Sequence, residues 1–177
     1  MKEIGILFNK LFQIDKVSER IGNINYREAV RAIIIKDKKI LMVHSKNKDY
    51  KFPGGGIKKG EGRIEALKRE IEEETGYVAK TIGKQIGIVT EKSKDKYVHY
   101  RIFKMISYYY IAEITGEVKK QRLDAYEAKL EFRPVWIDVK EAIDNNKRII
   151  ESKDEIKANW IERETYVLEE IYAGLIR

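Results

Sequence analysis

The sequence predicts an α+β fold, a mixed β-sheet covered by helices, and not a regular strand–helix alternation. Three observations predict it. Runs rich in β-branched and aromatic residues recur at 24–36, 39–45, 78–89, 97–114 and 131–139. A strongly helical pattern follows a glycine cluster at 54–56. A second one closes the chain over 154–173. Both faces of a sheet built from such strands need covering, which a layered arrangement provides.

Taken in order, residues 1–22 are an N-terminal extension or edge element. Ile4, Leu7, Phe8 and Leu11 have helical spacing, while Gly5 and the shortness of the run leave an edge strand open. The stretch INYREAVRAIIIK (24–36) is rich in β-formers, and Ile33-Ile34-Ile35 suits a strand buried on both faces. Asp37-Lys38 marks a turn, so KILMVHS (39–45) reads as the returning strand of a hairpin, with His44 structural at its end. After a polar loop at 47–50, Pro53 biases Phe52 towards an extended conformation, and the chain enters the glycines as a strand. Residues 78–89 are strand-like, with Gly83 or Gly87 marking a bulge, and 91–96 form a polar turn. The run YVHYRIFKMISYYYIAEI (97–114) makes one long strand, or two with a bend near Ser107, before the chain turns through Gly116. Residues 123–130 are mixed. EFRPVWIDV (131–139) is a strand whose Pro134 favours an edge or entry position. Asp138 caps a short helix running to about Asn146. Ile156, Trp160, Ile161, Tyr166, Val167, Leu168 and Ile171 then fall at helical spacings. The simplest organisation is one domain over 1–177, with 154–177 its C-terminal helix.

Composition narrows the function. There is no cysteine, hence no disulfide framework, thiolate nucleophile or thiolate metal site. No apolar stretch approaches the ~18 residues that span a bilayer. The start, MKEIGILFNKLFQ, lacks an uninterrupted apolar region and a small-residue cleavage site. A soluble cytoplasmic protein without membrane contact is the default. A net charge of +7 and a pI near 9.3 suit anionic partners, nucleotides or nucleic acid. Lysine spread along the whole chain suits a solubilised or heat-tolerant surface equally well.

The chemistry concentrates in GGGIKKGEGRIEALKREIEEETGY, residues 54–77. Gly54, Gly55, Gly56 and Gly60 permit a tight loop and bring bare backbone close to a ligand. A helix begins near Gly62, where glycine is an allowed but weak cap and leaves Glu65 without its reciprocal capping partner. Ile64, Leu67 and Ile71 cluster within an arc of roughly 60°. Glu70, Glu73 and Glu74 occupy the adjoining arc, while Glu65, Lys68 and Glu72 point away. Glu70 and Glu74, four residues apart, repel each other unless a cation lies between them. Clustered carboxylates are the oxygen ligands that Mg²⁺ prefers. The bland alternative is a solvated charged helix face.

The spacing Gly55-x5-Glu61-x7-Arg69-Glu70-Ile71-x-Glu73-Glu74-x-Gly76 resembles the signature box of the Nudix hydrolases, departing from it at Tyr77, where the family prefers an aliphatic residue. The resemblance implies an α/β/α sandwich with a loop–helix–loop metal site. It also implies hydrolysis of a nucleoside diphosphate linked to another moiety, by water and Mg²⁺ or Mn²⁺. Carried over by position, Glu70, Glu73, Glu74 and the carbonyl of Gly54 are metal ligands, and Glu70 is alternatively the general base. Arg69 and Glu61 hold loop and helix in place, and Gly55 and Gly56 face substrate. Many relatives add a carboxylate from outside the box. Glu131, five residues before Trp136, is the first candidate and Glu127 the second. Tyr97, Tyr100, Phe103, Tyr108 and Tyr110 are candidates for stacking on a base, although aromatic strands are more often core. Tyr97 sits slightly beyond the position of a marker for dinucleoside polyphosphate hydrolases, and the proline that marks ADP-sugar enzymes is absent. A catalytically silent nucleotide-sensing or RNA-binding module and an RNA 5′-end pyrophosphohydrolase are the alternatives. RNA is admissible as partner but not favoured, and a homodimer is left open. All four glutamates of the box are kept, which argues for an active enzyme.

Overall fold

Two sheets carry the fold in the computed structural model, which describes residues 5–14, 23–98, 101–152 and 158–176. The larger has the strand order β1 (Phe8–Gln13), β6 (Tyr77–Lys94), β7 (Ile102–Val118) and β2 (Ile24–Ile33). β1 lies parallel to β6 and β2 parallel to β7, while β6 and β7 form a long antiparallel ribbon, so the sheet is mixed. In the smaller sheet β4 (Lys39–His44) pairs with β3 (Ile35–Lys36), β5 (Tyr50–Lys51) and β8 (Arg133–Asp138), all antiparallel. The α-helices are α1 (Arg63–Thr75), α2 (Ala125–Lys129), α3 (Val139–Glu151) and α4 (Ile161–Ile171), the last continued by a π-helical turn over Tyr172–Ile176.

Strand alternation divides the core in two. Val30, Ala32, Leu41, Tyr108, Tyr110 and Ala112 pack with Ala66, Leu67 and Ile71 of α1. Their neighbours Ile33, Ile40, Met42 and Tyr109 point the other way, against Val139 and Ile143 of α3 and Val167, Leu168 and Ile171 of α4. This is the helix–sheet–helix layering that the sequence implied. Asp37 and Lys38 both have positive φ, as a tight two-residue hairpin between β3 and β4 requires.

Several boundaries differ from expectation, each for a local reason. Of the two readings open for the N-terminal segment the edge strand is the one found, paired with β6 from Phe8 to Gln13. β6 runs on through its polar end to Lys94 because β7 pairs with it there. The turn is set by Asp95, whose carboxylate accepts from the N–H groups of Tyr97 and Val98 at 2.8 and 3.1 Å. β7 passes through Gly116 without turning, since Val118 pairs with Tyr77, the first residue of β6. One register shift in β6 spans Gly83, between Ile82 and Gln85, and the next ends at Gly87. Asn146 does not end α3. Its amide bridges the N–H and C=O of Tyr50, each at 2.9 Å, and the helix continues to Glu151. In α1 the buried stripe is Ala66, Leu67, Glu70, Ile71 and Glu74, so the helix is turned towards its carboxylates and Ile64 is 40% exposed. The first residues of the expected C-terminal helix, 153–157, and Tyr100 lie outside the described residues.

Candidate active site

The glycine loop is fastened along β2 like an extra strand. Val30 N–H donates to Gly55 O at 3.0 Å, Ala32 N–H to Pro53 O at 2.8 Å, and Ile57 N–H to Glu28 O at 3.1 Å. This close approach needs the absent side chains. Gly54 sits at φ 144, and a Cβ on Gly55 would meet the Glu70 carboxylate at 2.5 Å. The loop therefore ends with backbone on β2 and the helix carboxylates against its other side. Gly62 starts α1 with its N–H donating to Glu65 at 3.0 Å, half of a capping box, because glycine has no side chain to return the bond. Gly76 ends the helix with φ 76.

Arg69 is the clamp of this unit. It donates through Nε and Nη2 to Glu61 at 2.7 and 2.8 Å, and through Nη2 to the carbonyl of Gly56 at 3.2 Å. Its Nη1 reaches Glu70 at 2.6 Å and Glu73 at 3.0 Å. The guanidinium holds Glu61 down to about 2, well below the usual carboxylate range. Bidentate bonding of this kind fixes geometry as well as charge.

Glu70, Glu74 and Glu127 converge: each offers an oxygen, and these atoms lie within 4.8 Å of one another. Glu74 is 1% exposed, accepts from Gly54 N–H at 2.8 Å, and pairs with the buried ammonium of Lys51. Lys51 in turn lies over the Phe132 ring, 4.6 Å from its centroid. Burial raises the Glu70 carboxyl above its ordinary value, with the charge of Glu74 adding to the effect and Arg69 opposing it. Burial and the charge of Glu74 push Glu127 up to about 7. Crowding beside Glu74 in a poorly solvated corner disfavours the ionisation of Glu70 and Glu127, the condition a hard divalent cation relieves.

Glu127 was the second of the two acids expected from outside the box. Asp124 caps α2, and the pair forms a reciprocal capping box: Glu127 N–H donates to Asp124 at 2.8 Å, and Asp124 N–H to Glu127 at 2.9 Å. The first, Glu131, is not brought to the cluster. It follows the helix in a left-handed conformation at φ 54, which turns its side chain outward to an exposed ion pair with Arg133 at 3.6 Å. Glu73 remains half-buried on the Arg69 clamp, outside the three-carboxylate group. The carbonyl of Gly54 accepts from Nη1 of Arg31. Gly55 lines the cleft described next, and Gly56 packs against the guanidinium of Arg27.

The cluster opens on a cleft of about 920 Å³. Its floor is one face of the larger sheet, carrying Asn25, Arg27, Ala29 and Arg31 of β2 with Phe103 and Met105 of β7. Tyr97, 87% exposed, stands on one wall, while Tyr126 and Trp160 stand on another with ring centroids 6.5 Å apart. Tyr108 and Tyr110 face α1 instead and belong to the core. Behind the cleft, Arg163 of α4 is 3% exposed and bonds Glu91 and Glu164, each at 2.5 Å. Glu164 accepts the N–H of Phe52 at 2.8 Å, tying α4 to the strand that leads into the glycines. Sequence reasoning missed Lys51, Arg31 and this network. Each sits in a run that reads as ordinary strand or surface helix. The departure at Tyr77 has a simple account: its hydroxyl accepts from the Trp136 indole at 3.1 Å.

A mixed sheet between helices, with a clamped glycine loop leading into a carboxylate-bearing helix, is the Nudix-type sandwich. The chain belongs to the NUDIX domain family, whose model matches residues 25–160. It is 37% identical, over 105 residues, to the ADP-ribose pyrophosphatase of Methanocaldococcus jannaschii, a match covering 57% of this chain and 59% of that protein. Among solved structures, a NUDIX hydrolase from Nitrosomonas europaea superposes with a TM-score of 0.57 at 17% identity, covering 85% of this chain and 90% of that one. A MutT NUDIX hydrolase from Burkholderia pseudomallei gives 0.52 at 18% identity, covering 83% and 98%. No helix among the described residues is long and apolar enough to cross a membrane.

Proposed function

We propose that the chain is a pyrophosphohydrolase cleaving the diphosphate linkage of a nucleoside diphosphate derivative by attack of water on phosphorus, and that it works in the cytoplasm. The observation carrying this reading is the meeting of Glu70, Glu74 and Glu127 at the edge of a cleft large enough for such a substrate. Those three residues would hold Mg²⁺ or Mn²⁺, with Glu73 and the carbonyl of Gly54 beside them. The all-oxygen donor set and the raised Glu70 and Glu127 carboxyls fit such an ion. When bound, it neutralises phosphate charge and lowers the pKa of water.

The chain's own residues supply the rest. Arg69 and Glu61 keep the loop and helix in one geometry, so the carboxylates meet the diphosphate without rearrangement. Gly55 and Gly56 let the phosphates approach bare backbone, and Tyr97 offers a ring to the base. Glu127, the one member of the trio outside the helix, takes the proton from the attacking water. Because the relative from Methanocaldococcus jannaschii is named an ADP-ribose pyrophosphatase, ADP-ribose is the first substrate to offer, followed by ADP-sugars and dinucleoside polyphosphates. The test is product release from this panel with Mg²⁺ or Mn²⁺, repeated in excess chelator. Turnover of at least one member, abolished by chelator, is expected. Undiminished hydrolysis in chelator would sink the metal-dependent reading.

A further inference from the structure

Among the buried cations around the cleft, Arg31 stands apart. Lys51 is paired with Glu74, and Arg163 with Glu91 and Glu164. Arg31 is 7% exposed and donates Nη1 to the carbonyl of Gly54, yet its Nε–H is buried without a partner. No ion pair joins it to a carboxylate among the described residues. Glu70 is near enough to feel its charge but does not bond it, and a guanidinium out of water with a free Nε–H is costly unless an acceptor completes it. Clamping a carbonyl occupies Nη1 and does nothing for the Nε–H.

Its surroundings supply an opening. Alternation puts Arg27, Ala29 and Arg31 on the same face of β2, the cleft floor. The small Ala29 leaves room between the two guanidinium groups. On the adjoining strand, opposite Ala29 and on the same face, the Oγ of Ser107 is also buried without a partner. Arg27 is exposed, and its guanidinium lies against the loop, where a Cβ on Gly56 would come within 2.5 Å of Nη2. The place of the missing Cβ of Gly55 is filled by the Glu70 carboxylate. The loop therefore has guanidinium groups along one side and carboxylates along the other.

We propose that Arg31 and Arg27 form an anion subsite that grips the phosphate oxygens of the substrate's diphosphate from the sheet side of the glycine loop. This rests on the hydrolase reading above and adds the residues that hold the phosphates. Two planar guanidinium forks match tetrahedral phosphate oxygens, which accept paired N–H bonds.

The test is calorimetric binding of α,β-methylene-ADP with Mg²⁺ to the full chain and to Arg27→Gln, Arg31→Gln and Arg31→Lys, alongside Mn²⁺ binding without nucleotide. Arg27→Gln should weaken analogue binding roughly 10- to 150-fold, the worth of one charge-assisted hydrogen bond, with Mn²⁺ affinity and melting temperature unchanged. Arg31→Gln should lose at least as much, and Arg31→Lys should recover part of it. Arg27 is exposed, so its variant keeps the test alive if Arg31→Gln fails to fold. Unchanged analogue affinity in Arg27→Gln would overturn the subsite, as would an Arg31→Gln whose loss is wholly one of Mn²⁺ affinity. A wild type that turns over nothing in the panel, yet binds the analogue through these arginines, would retire the hydrolase reading and leave the subsite standing. Normal turnover with unchanged KM in both Gln variants would do the reverse.

Discussion

Replacing Glu127 by Gln should stabilise the metal-free protein, and do so increasingly as the pH rises. Burial and the charge of Glu74 hold this carboxyl at about 7, against 4.5 for an unperturbed glutamate. Below the lower value the acid is protonated in both the folded and the unfolded chain, and its contribution to stability is fully present. As pH climbs, the unfolded chain releases the proton freely while the folded one resists. That contribution is lost progressively and is gone above about 7. The whole difference corresponds to at most about 3 kcal/mol. Glu127 is only half-buried, so solvent screening reduces the expected loss to roughly 1 kcal/mol. Gln keeps the shape and an oxygen to accept the Asp124 N–H, which isolates the charge. Melting curves in chelator should show variant and wild type together near pH 4.5, and the variant about 2–4 °C higher at pH 7.5. Adding Mg²⁺ should reverse the order, because wild type then gains binding free energy that the variant has lost. A pH-independent offset, or a variant less stable than wild type at pH 7.5 in chelator, would refute the carboxylate crowding assumed here.

Two further substitutions test the surroundings of the cluster. Glu74→Gln should lose most turnover and also destabilise the metal-free fold by about 3 kcal/mol, because it leaves the buried ammonium of Lys51 without its counter-charge. Denaturant titration checks this, with Lys51→Met/Glu74→Gln expected to regain part of the loss and equal stability of Glu74→Gln and wild type counting against the pair. Tyr77→Leu restores the aliphatic residue usual at that position but removes the acceptor of the Trp136 indole. A cost of about 1 kcal/mol in denaturant midpoint analysis, with turnover unchanged, is expected.

What could be read from the sequence was whatever depends on spacing along the chain. The glycine loop, the helix after it and the Arg69–Glu61 clamp are fixed by local order, and the strand runs announce themselves by composition. What could not be read depends on partners distant in sequence. β6 extends to Lys94 because β7 lies beside it, and Asn146 sits mid-helix because Tyr50 lies opposite. Glu127 lies within a one-turn helix and meets the cluster, whereas Glu131 follows that helix at positive φ and points away. Counting back from Trp136 says nothing about that, whereas Asp124-x-x-Glu127 carries the reciprocal capping signature that fixes the helix start. Arg31 and Arg163 were invisible for another reason. A charged residue in a strand or helix is ordinarily taken as solvent-facing, and only the fold reveals that these two are enclosed.

The bond from Phe52 N–H to Glu164 spans 112 residues, and it sets an order of events during synthesis. Chains grow at roughly 5–20 residues per second. The strand entering the glycines is therefore synthesised roughly 6 to 22 seconds before the carboxylate that receives its amide. For most of that interval the glutamates of α1 already exist, and β2 waits for β7 as well. A nascent chain thus carries the carboxylates of α1 long before it carries the helix that braces the strand leading to them.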